Sequence, residues 1–306
     1  MLHVRSFLNS RHAIPKVSGA ARVTWRRKAA RTGLAIAFLA AAVAAGPALA
    51  TPERPRVVSI NLCTDQLLLA LADPEQVLGL SPFSRDPSRS WVRDAAARYP
   101  VLSGTAEEVL VLKPDLVLAG RFTRRATREL LKAHGLKVVE FEAATSIPQV
   151  IAQVRRAGAL LGQPGRADEK VAEIEAAAAR ARAAALVRPI TVLPLQRRGW
   201  VSGRETLMTS FLDTVGLRNA GALLGAQGGL VSLEQIVTLK ADMLLVSRSE
   251  TAAEDQGSAL LHHPALKERY PPDRRLVLPE QMTVCGGPEI AAALDRLAVE
   301  IGRMRP

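Results

Sequence analysis

A twelve-residue pattern recurs in this chain at a constant offset. The segment Glu107-Glu108-Val109-Leu110-Val111-Leu112-Lys113-Pro114-Asp115-Leu116-Val117-Leu118 aligns with Glu234-Gln235-Ile236-Val237-Thr238-Leu239-Lys240-Ala241-Asp242-Met243-Leu244-Leu245, 127 residues later. Glu, Lys and Asp coincide and the apolar pattern is kept. In each copy a short helix leads through a Lys-x-Asp turn into a buried strand. An uninterrupted Ala-, Glu- and Arg-rich stretch, Arg166 to Leu186, lies between the copies. Two similar units around a rigid rod are the economical reading.

The flanking pattern agrees. Short β-branched runs at Arg56–Ile60, Val77–Leu80, Asp115–Ala119 and Leu136–Phe141 alternate with helical stretches. Asn61 or Thr64 caps the first helix, Thr123 one that ends at Gly135 with Leu130 and Leu131 inward, and Ser146 a third with Pro148 in its first turn. The alternation restarts after Arg188-Pro189 and closes with a helix from Pro288 to about Ile301. Strands alternating with helices at this spacing imply parallel sheets. The expected fold is α/β: Rossmann-like lobes over 55–145 and 188–306, joined by bridging helices over 146–187. Gly228-Gly229 and Gly286-Gly287 read as turns.

The net charge of +12 suggests a nucleic-acid partner, but its distribution does not. Residues 1–50 hold eight Lys and Arg and no Asp or Glu. An apolar run from Leu34 to Ala45 and the small-residue site Ala48-Leu49-Ala50 follow. This is the order of an export signal cleaved after Ala50, with an uncleaved anchor as the alternative. Arg26-Arg27 leaves the export route open. The remainder carries 33 basic and 29 acidic residues, a net charge of +4. The expected location is the periplasm, with no nucleic acid as partner.

Catalytic signatures are missing from the sequence: there is no Gly-x-Ser-x-Gly elbow, no Gly-rich phosphate loop and no paired-carboxylate motif. Beyond residue 50 the histidines are His134, His262 and His263, without metal-ligand spacing. Haem has only Tyr99 and Tyr270 as phenolate ligands. A binding protein is the leading reading and a secreted hydrolase the alternative.

Over about residues 55–303 the chain resembles the periplasmic substrate-binding proteins of ABC importers for iron-siderophore complexes and vitamin B12. The segments carrying the likeness are Arg56-Val57-Val58-Ser59-Ile60-Asn61-Leu62-Cys63-Thr64-Asp65-Gln66, Leu112-Lys113-Pro114-Asp115-Leu116-Val117, the helical rod, Val201-Ser202-Gly203-Arg204-Glu205 and Val231-Ser232-Leu233-Glu234-Gln235-Ile236. The resemblance implies a class III binding protein of helical-backbone type with a ligand cleft between its lobes. It implies a monomer that docks on a dimeric inner-membrane permease coupled to a cytoplasmic ATPase. It also implies one docking carboxylate per lobe, which here are Glu107 and Glu234. The ligand would be a ferric siderophore or cobalamin, with haem as the alternative and no covalently bound cofactor.

Ligands of parallel sheets sit beyond the carboxyl ends of the strands. That rule selects Asn61, Cys63, Thr64, Phe83, Ser84, Arg85, Arg121 and Phe122, with Trp91 just beyond. In the second unit it selects Arg197, Arg198, Trp200, Ser202, Arg204, Ser247, Arg248, Met282 and Thr283. Aromatic faces and arginines suit an anionic or amide-rich chelate. The foremost candidates are Trp200, Phe83, Trp91 and Arg204, followed by Asn61, Phe122 and Met282. Cys63 and Cys285 both fall toward the cleft. A disulfide needs Cα atoms within about 7 Å, closer than a chelate-sized cleft suggests. The expectation is two separate thiols, with pairing as the alternative.

Overall fold

A computed structural model describes residues 54–184, 190–247 and 259–303. The expected leader 1–50, Arg248 and residues 185–186 of the expected rod lie outside them. The first lobe runs β1 (Val57–Ser59), α1 (Leu62–Leu71), β2 (Val77–Gly79), α2 (Arg93–Ala96), α3 (Ala106–Leu112), β3 (Leu116–Gly120), α4 (Arg125–Ala133) and β4 (Val138–Phe141). Helices α5 (Ile147–Leu160) and α6 (Pro164–Ala183) follow. The second lobe runs β5 (Thr191–Pro194), β6 (Trp200–Ser202), α7 (Leu207–Thr214), β7 (Arg218–Asn219), β8 (Gly228–Leu230), α8 (Leu233–Thr238), β9 (Met243–Val246), a short helix Pro264–Arg269, β10 (Arg275–Val277) and the C-terminal helix Ile290–Gly302.

Each lobe has its own four-stranded parallel sheet, in the order β2-β1-β3-β4 and β10-β9-β5-β7. In both, the first strand in the chain lies between the second and the third. The two sheets are wound alike, and the repeated segment supplies the third strand of each. The hairpin β6–β8 is inserted in the second lobe only.

Both sheets are covered on both faces, which explains their nearly continuous apolar strands. Leu116 and Leu118 of β3 face the core shared with α5, α6 and the second lobe; Val117 and Ala119 face α3 and α4. Met243 and Leu245 of β9 face the same shared core, and Leu244 and Val246 the outer one. Helix α6, about 30 Å long at 20 residues, buries Val171, Ile174, Ala177 and Ala181. Arg166 near its start donates to Leu71 O (2.6 Å) and Asp73 (2.8 Å) in the first lobe. Arg180 near its end makes a two-pronged pair with Asp295 of the C-terminal helix, at 2.8 Å per prong. Gly158 lets α5 approach closely, because a Cβ there would lie 2.3 Å from that of Ala167.

Three local expectations need correction. Arg124, not Thr123, is the cap of α4; the Thr123 hydroxyl accepts the Gly120 N–H instead (3.1 Å). Leu131 is fully buried but Leu130 is 40% exposed, because neighbours on a helix point about 100° apart. Gly228-Gly229 is strand, not turn: a Cβ at Gly228 would lie 2.0 Å from Val201 O on the paired strand.

Candidate functional site

Two adjoining cavities lie at the carboxyl ends of the two sheets. The smaller, about 200 Å³, is walled by residues following β1, β3 and β4: Asn61 and Cys63, Gly120 to Phe122, and Phe141 to Ala144. The larger, about 260 Å³, is walled by residues following β5, β6, β9 and β10, among them Gln196, Arg197, Ser202, Thr206, Ser247 and Glu280. Leu207, Thr283 and Val284 line both cavities. The first carries exposed aromatic surface at Phe122 and the exposed ion pair Arg121–Glu142 (3.3 Å). The second is rich in hydroxyls and amides. Together they offer stacking, hydrogen bonding and charge of both signs. Among the described residues no cluster of His, Cys, Asp and Glu is arranged to hold a metal ion.

The start of α1 organises the first wall. Asn61 is its N-cap, its Oδ1 accepting the Cys63 N–H at 2.9 Å. Gly120 makes room for that side chain: a Cβ there would sit 2.6 Å from the Asn61 amide carbon. The cysteine expectation is overturned. Cys63 and Cys285, 222 residues apart in sequence, form a disulfide with Cα atoms 5.2 Å apart. The lobes meet where the loop before the C-terminal helix reaches the start of α1.

Carboxylates tie the surrounding segments together through hydrogen bonds. Asp65 accepts from Ser81 N–H (3.1 Å) and Ser81 Oγ (2.5 Å), holding α1 to the loop after β2. Its burial pushes its pKa up to about 7 against the opposing hydrogen bonds from Ser59 and Ser81. Within that loop burial tends to raise Asp86, but hydrogen bonds from Arg89 and Ser88 outweigh it and hold it at about 2. Glu289, beyond the Cys285 loop, is pushed up to about 7 by burial and accepts the Gly287 N–H at 2.9 Å.

Of the foremost sequence candidates, Asn61 and Phe122 line the smaller cavity. Phe83, Trp91, Trp200, Arg204 and Met282 line neither cavity. Phe83 lies beneath the Arg89 guanidinium, 5.3 Å from ring centroid to carbon. Trp91 donates its backbone N–H to Gln66 Oε1. Trp200 is 40% exposed on the β6–β8 hairpin, opposite Leu230. Arg204 pairs loosely with Glu205 at 3.6 Å, and Met282 packs on the shared core. From the wider set, Thr64 and Ser84 are buried, and Arg85 binds the carbonyls of Ala96, Ala97 and Tyr99. Arg198 has a left-handed backbone (φ 59°) beside the larger cavity. Arg121, Arg197, Ser202, Ser247 and Thr283 do line the cavities. Glu142 and Glu280 were missed, although the strand-end rule applied to β4 and β10 selects both.

Glu107 and Glu234 are exposed in the first turns of α3 and α8, the equivalent helices of the two lobes. A hydrogen bond from Ser232 holds the Glu234 carboxyl below its usual range.

Two like-wound lobes, bridging helices and a cleft at the strand ends define a class III periplasmic binding protein. Residues 57–268 match the sequence profile of the family described as periplasmic binding protein, and the chain belongs to that family. Cobalamin-binding proteins from two strains of Halobacterium salinarum are 28% identical over 224 residues, which is 68% of this chain. The chain spans 58% of the length of those curated relatives. The periplasmic heme-binding protein RhuT from Roseiflexus sp. RS-1, in apo form, superposes with a TM-score of 0.66 at 24% identity, over 82% of this chain and all of that one. A periplasmic heme binding protein from Pseudomonas aeruginosa gives 0.65 at 23% identity, over 80% of this chain and 92% of that one. At these identities the two structures speak to the fold.

Proposed function

We propose that the protein is the substrate-binding component of an ABC importer, capturing a metal chelate, either a ferric siderophore or a corrinoid such as cobalamin. Export would rely on residues 1–50, with cleavage after Ala50, and the monomeric protein would work in the periplasm without catalysing a reaction. The observation that carries this reading is the pair of adjoining cavities at the strand ends of two like-wound lobes. Their walls mix the Phe122 ring, Arg121, Arg197 and several hydroxyls and amides, which suits a large ligand with an apolar face and a polar rim. Glu107 and Glu234 would dock on the two halves of a permease dimer, since equivalent acids on two equivalent lobes suit a two-fold basic partner.

The positions of the phenols and imidazoles favour a ligand whose metal is already fully coordinated. Tyr270 is fully buried in the outer core of the second lobe, and Tyr99 packs on the shared core. A ring nitrogen of His134 engages Leu130 O, and His263 Nδ1 accepts the Ala265 N–H. None of these side chains, nor that of His262, lines either cavity, so haem would lack an axial phenolate or imidazole there. Titration of purified protein with cyanocobalamin, ferric siderophores and haemin tests the reading. Saturable one-to-one binding of a corrinoid or siderophore supports it. Tight binding of haemin alone, with the spectrum of an axially ligated haem, would replace it with the haem reading.

A further inference from the structure

The loop Thr283–Gly286 belongs to the second lobe by sequence but is fastened to the first. Within its own lobe it rests on turn bonds, Thr283 N–H and Val284 N–H to Glu280 O at 2.9 Å each, and on Gly287 N–H to Glu289. Its covalent anchor is across the cleft, from Cys285 to Cys63 at the start of α1. Gly286 lies against the end of the first lobe and helix α5, where a Cβ would come within 2.8 Å of the Ala144 Cβ and 3.0 Å of Val150. Thr283 and Val284 line both cavities, and both cysteines line the smaller one. The bond therefore anchors the wall that the two cavities share.

We infer that the Cys63–Cys285 disulfide is a positioning element of the ligand site: it holds the shared wall in its binding shape, and the site is competent in the oxidised state. The inference rests on the cleft being the ligand site. The physical ground is preorganisation, since a loop already fixed in its bound shape does not give up freedom when ligand arrives. Cys285 is 3% exposed while Cys63 is only half-buried, so a thiolate would attack the Cys63 sulfur. With a dithiol reductant, that attack forms a mixed disulfide with Cys63 and releases Cys285 as a thiolate, which takes up a proton. The second thiol of the reductant then displaces Cys63, leaving two protein thiols and one oxidised reductant. Reduction frees the shared wall from the first lobe.

The test uses the exported, oxidised protein, the same protein reduced with dithiothreitol, and the Cys63→Ser/Cys285→Ser variant. Hydrogen exchange is read without ligand at residues 283–286 and in the C-terminal helix, and affinity is read with cyanocobalamin and with ferric desferrioxamine B. Reduction should speed exchange in the loop about tenfold with little change in the helix, and weaken the bound probe about tenfold. Reoxidation should restore both. Equal loop exchange in oxidised and reduced protein overturns the inference, as does unchanged affinity. If the double variant fails to fold, the reduced wild-type protein supplies both readings. If neither probe binds the oxidised protein, the chelate reading fails on its own, while the exchange data still decide whether the bond holds the loop.

Discussion

Asp115 and Asp242 make the same two hydrogen bonds in the two lobes. Asp115 Oδ2 accepts the Arg56 N–H (2.7 Å) and its own N–H goes to Arg56 O (2.9 Å). Asp242 Oδ2 accepts the Thr191 N–H (2.8 Å) and its N–H goes to Thr191 O (2.8 Å). Each aspartate thus clamps the third strand of its sheet to the start of the first. Two residues earlier, Lys113 and Lys240 take left-handed backbones, with φ of 46° and 49°. The offset of 127 is a repeat of backbone geometry as well as of residues.

That equivalence can be measured. Asp115→Ala and Asp242→Ala should each cost about 1 kcal/mol, one lost hydrogen bond apiece. Lys113→Val and Lys240→Val should each cost about 1–2 kcal/mol, since a β-branched residue tolerates the left-handed region poorly, whereas glycine at either site should not. Urea midpoints with unchanged slopes would show it.

Charge reversal at Glu107 or Glu234 should leave ligand affinity nearly unchanged, because both side chains are exposed on α3 and α8. Transport should collapse, as like charges facing permease arginines weaken docking on the order of a thousandfold. Uptake assays paired with titration of the same variants separate the effects. Equal loss of binding and uptake would move the carboxylate into the cleft.

The buried acids set a pH dependence of known sign. Folding raises Asp65 from 3.8 to about 7 and Glu289 from 4.5 to about 7. Between pH 4 and 7 the native state keeps protons that the unfolded chain has released. Their contribution to stability therefore falls as pH rises through that window and is flat above it. Glu289→Gln should remove part of the fall, on the order of 2 kcal/mol between pH 5 and 8. Chemical denaturation of wild type and variant at the two pH values reads this difference.

Helix α6 spans both lobes and is ion-paired to each, and the disulfide joins the lobes a second time. Ligand should therefore close the cleft only slightly, with the radius of gyration changing by less than about 1 Å. Small-angle scattering with and without ligand checks it. Gly158→Leu, which forces α5 away from α6 at Ala167, should cost about 1–3 kcal/mol in thermal or urea unfolding.

Much of the architecture was legible in the residues alone. Helix α3 and strand β9 fall where the apolar pattern predicts them, at Ala106–Leu112 and Met243–Val246, because local periodicity and turn chemistry determine such elements. The repeat predicted two similar α/β lobes, since equal patterns bury equal faces; that their sheets share one strand order is seen only in the structure. Of the residues selected by the strand-end rule, Asn61, Cys63, Arg121, Phe122, Arg197, Ser202, Ser247 and Thr283 line the cavities, because sheet topology alone dictates where a strand's last residue emerges. The rule could not tell these from Phe83, Trp200 and Arg204. Those lie as near to strand ends in sequence, but a loop turn or an inserted hairpin directs them elsewhere. The β6–β8 pairing and the Cys63–Cys285 bond are decided only in three dimensions. The bond joins residues 222 positions apart, and their distance depends on how the lobes pack across α5 and α6, which no local pattern encodes.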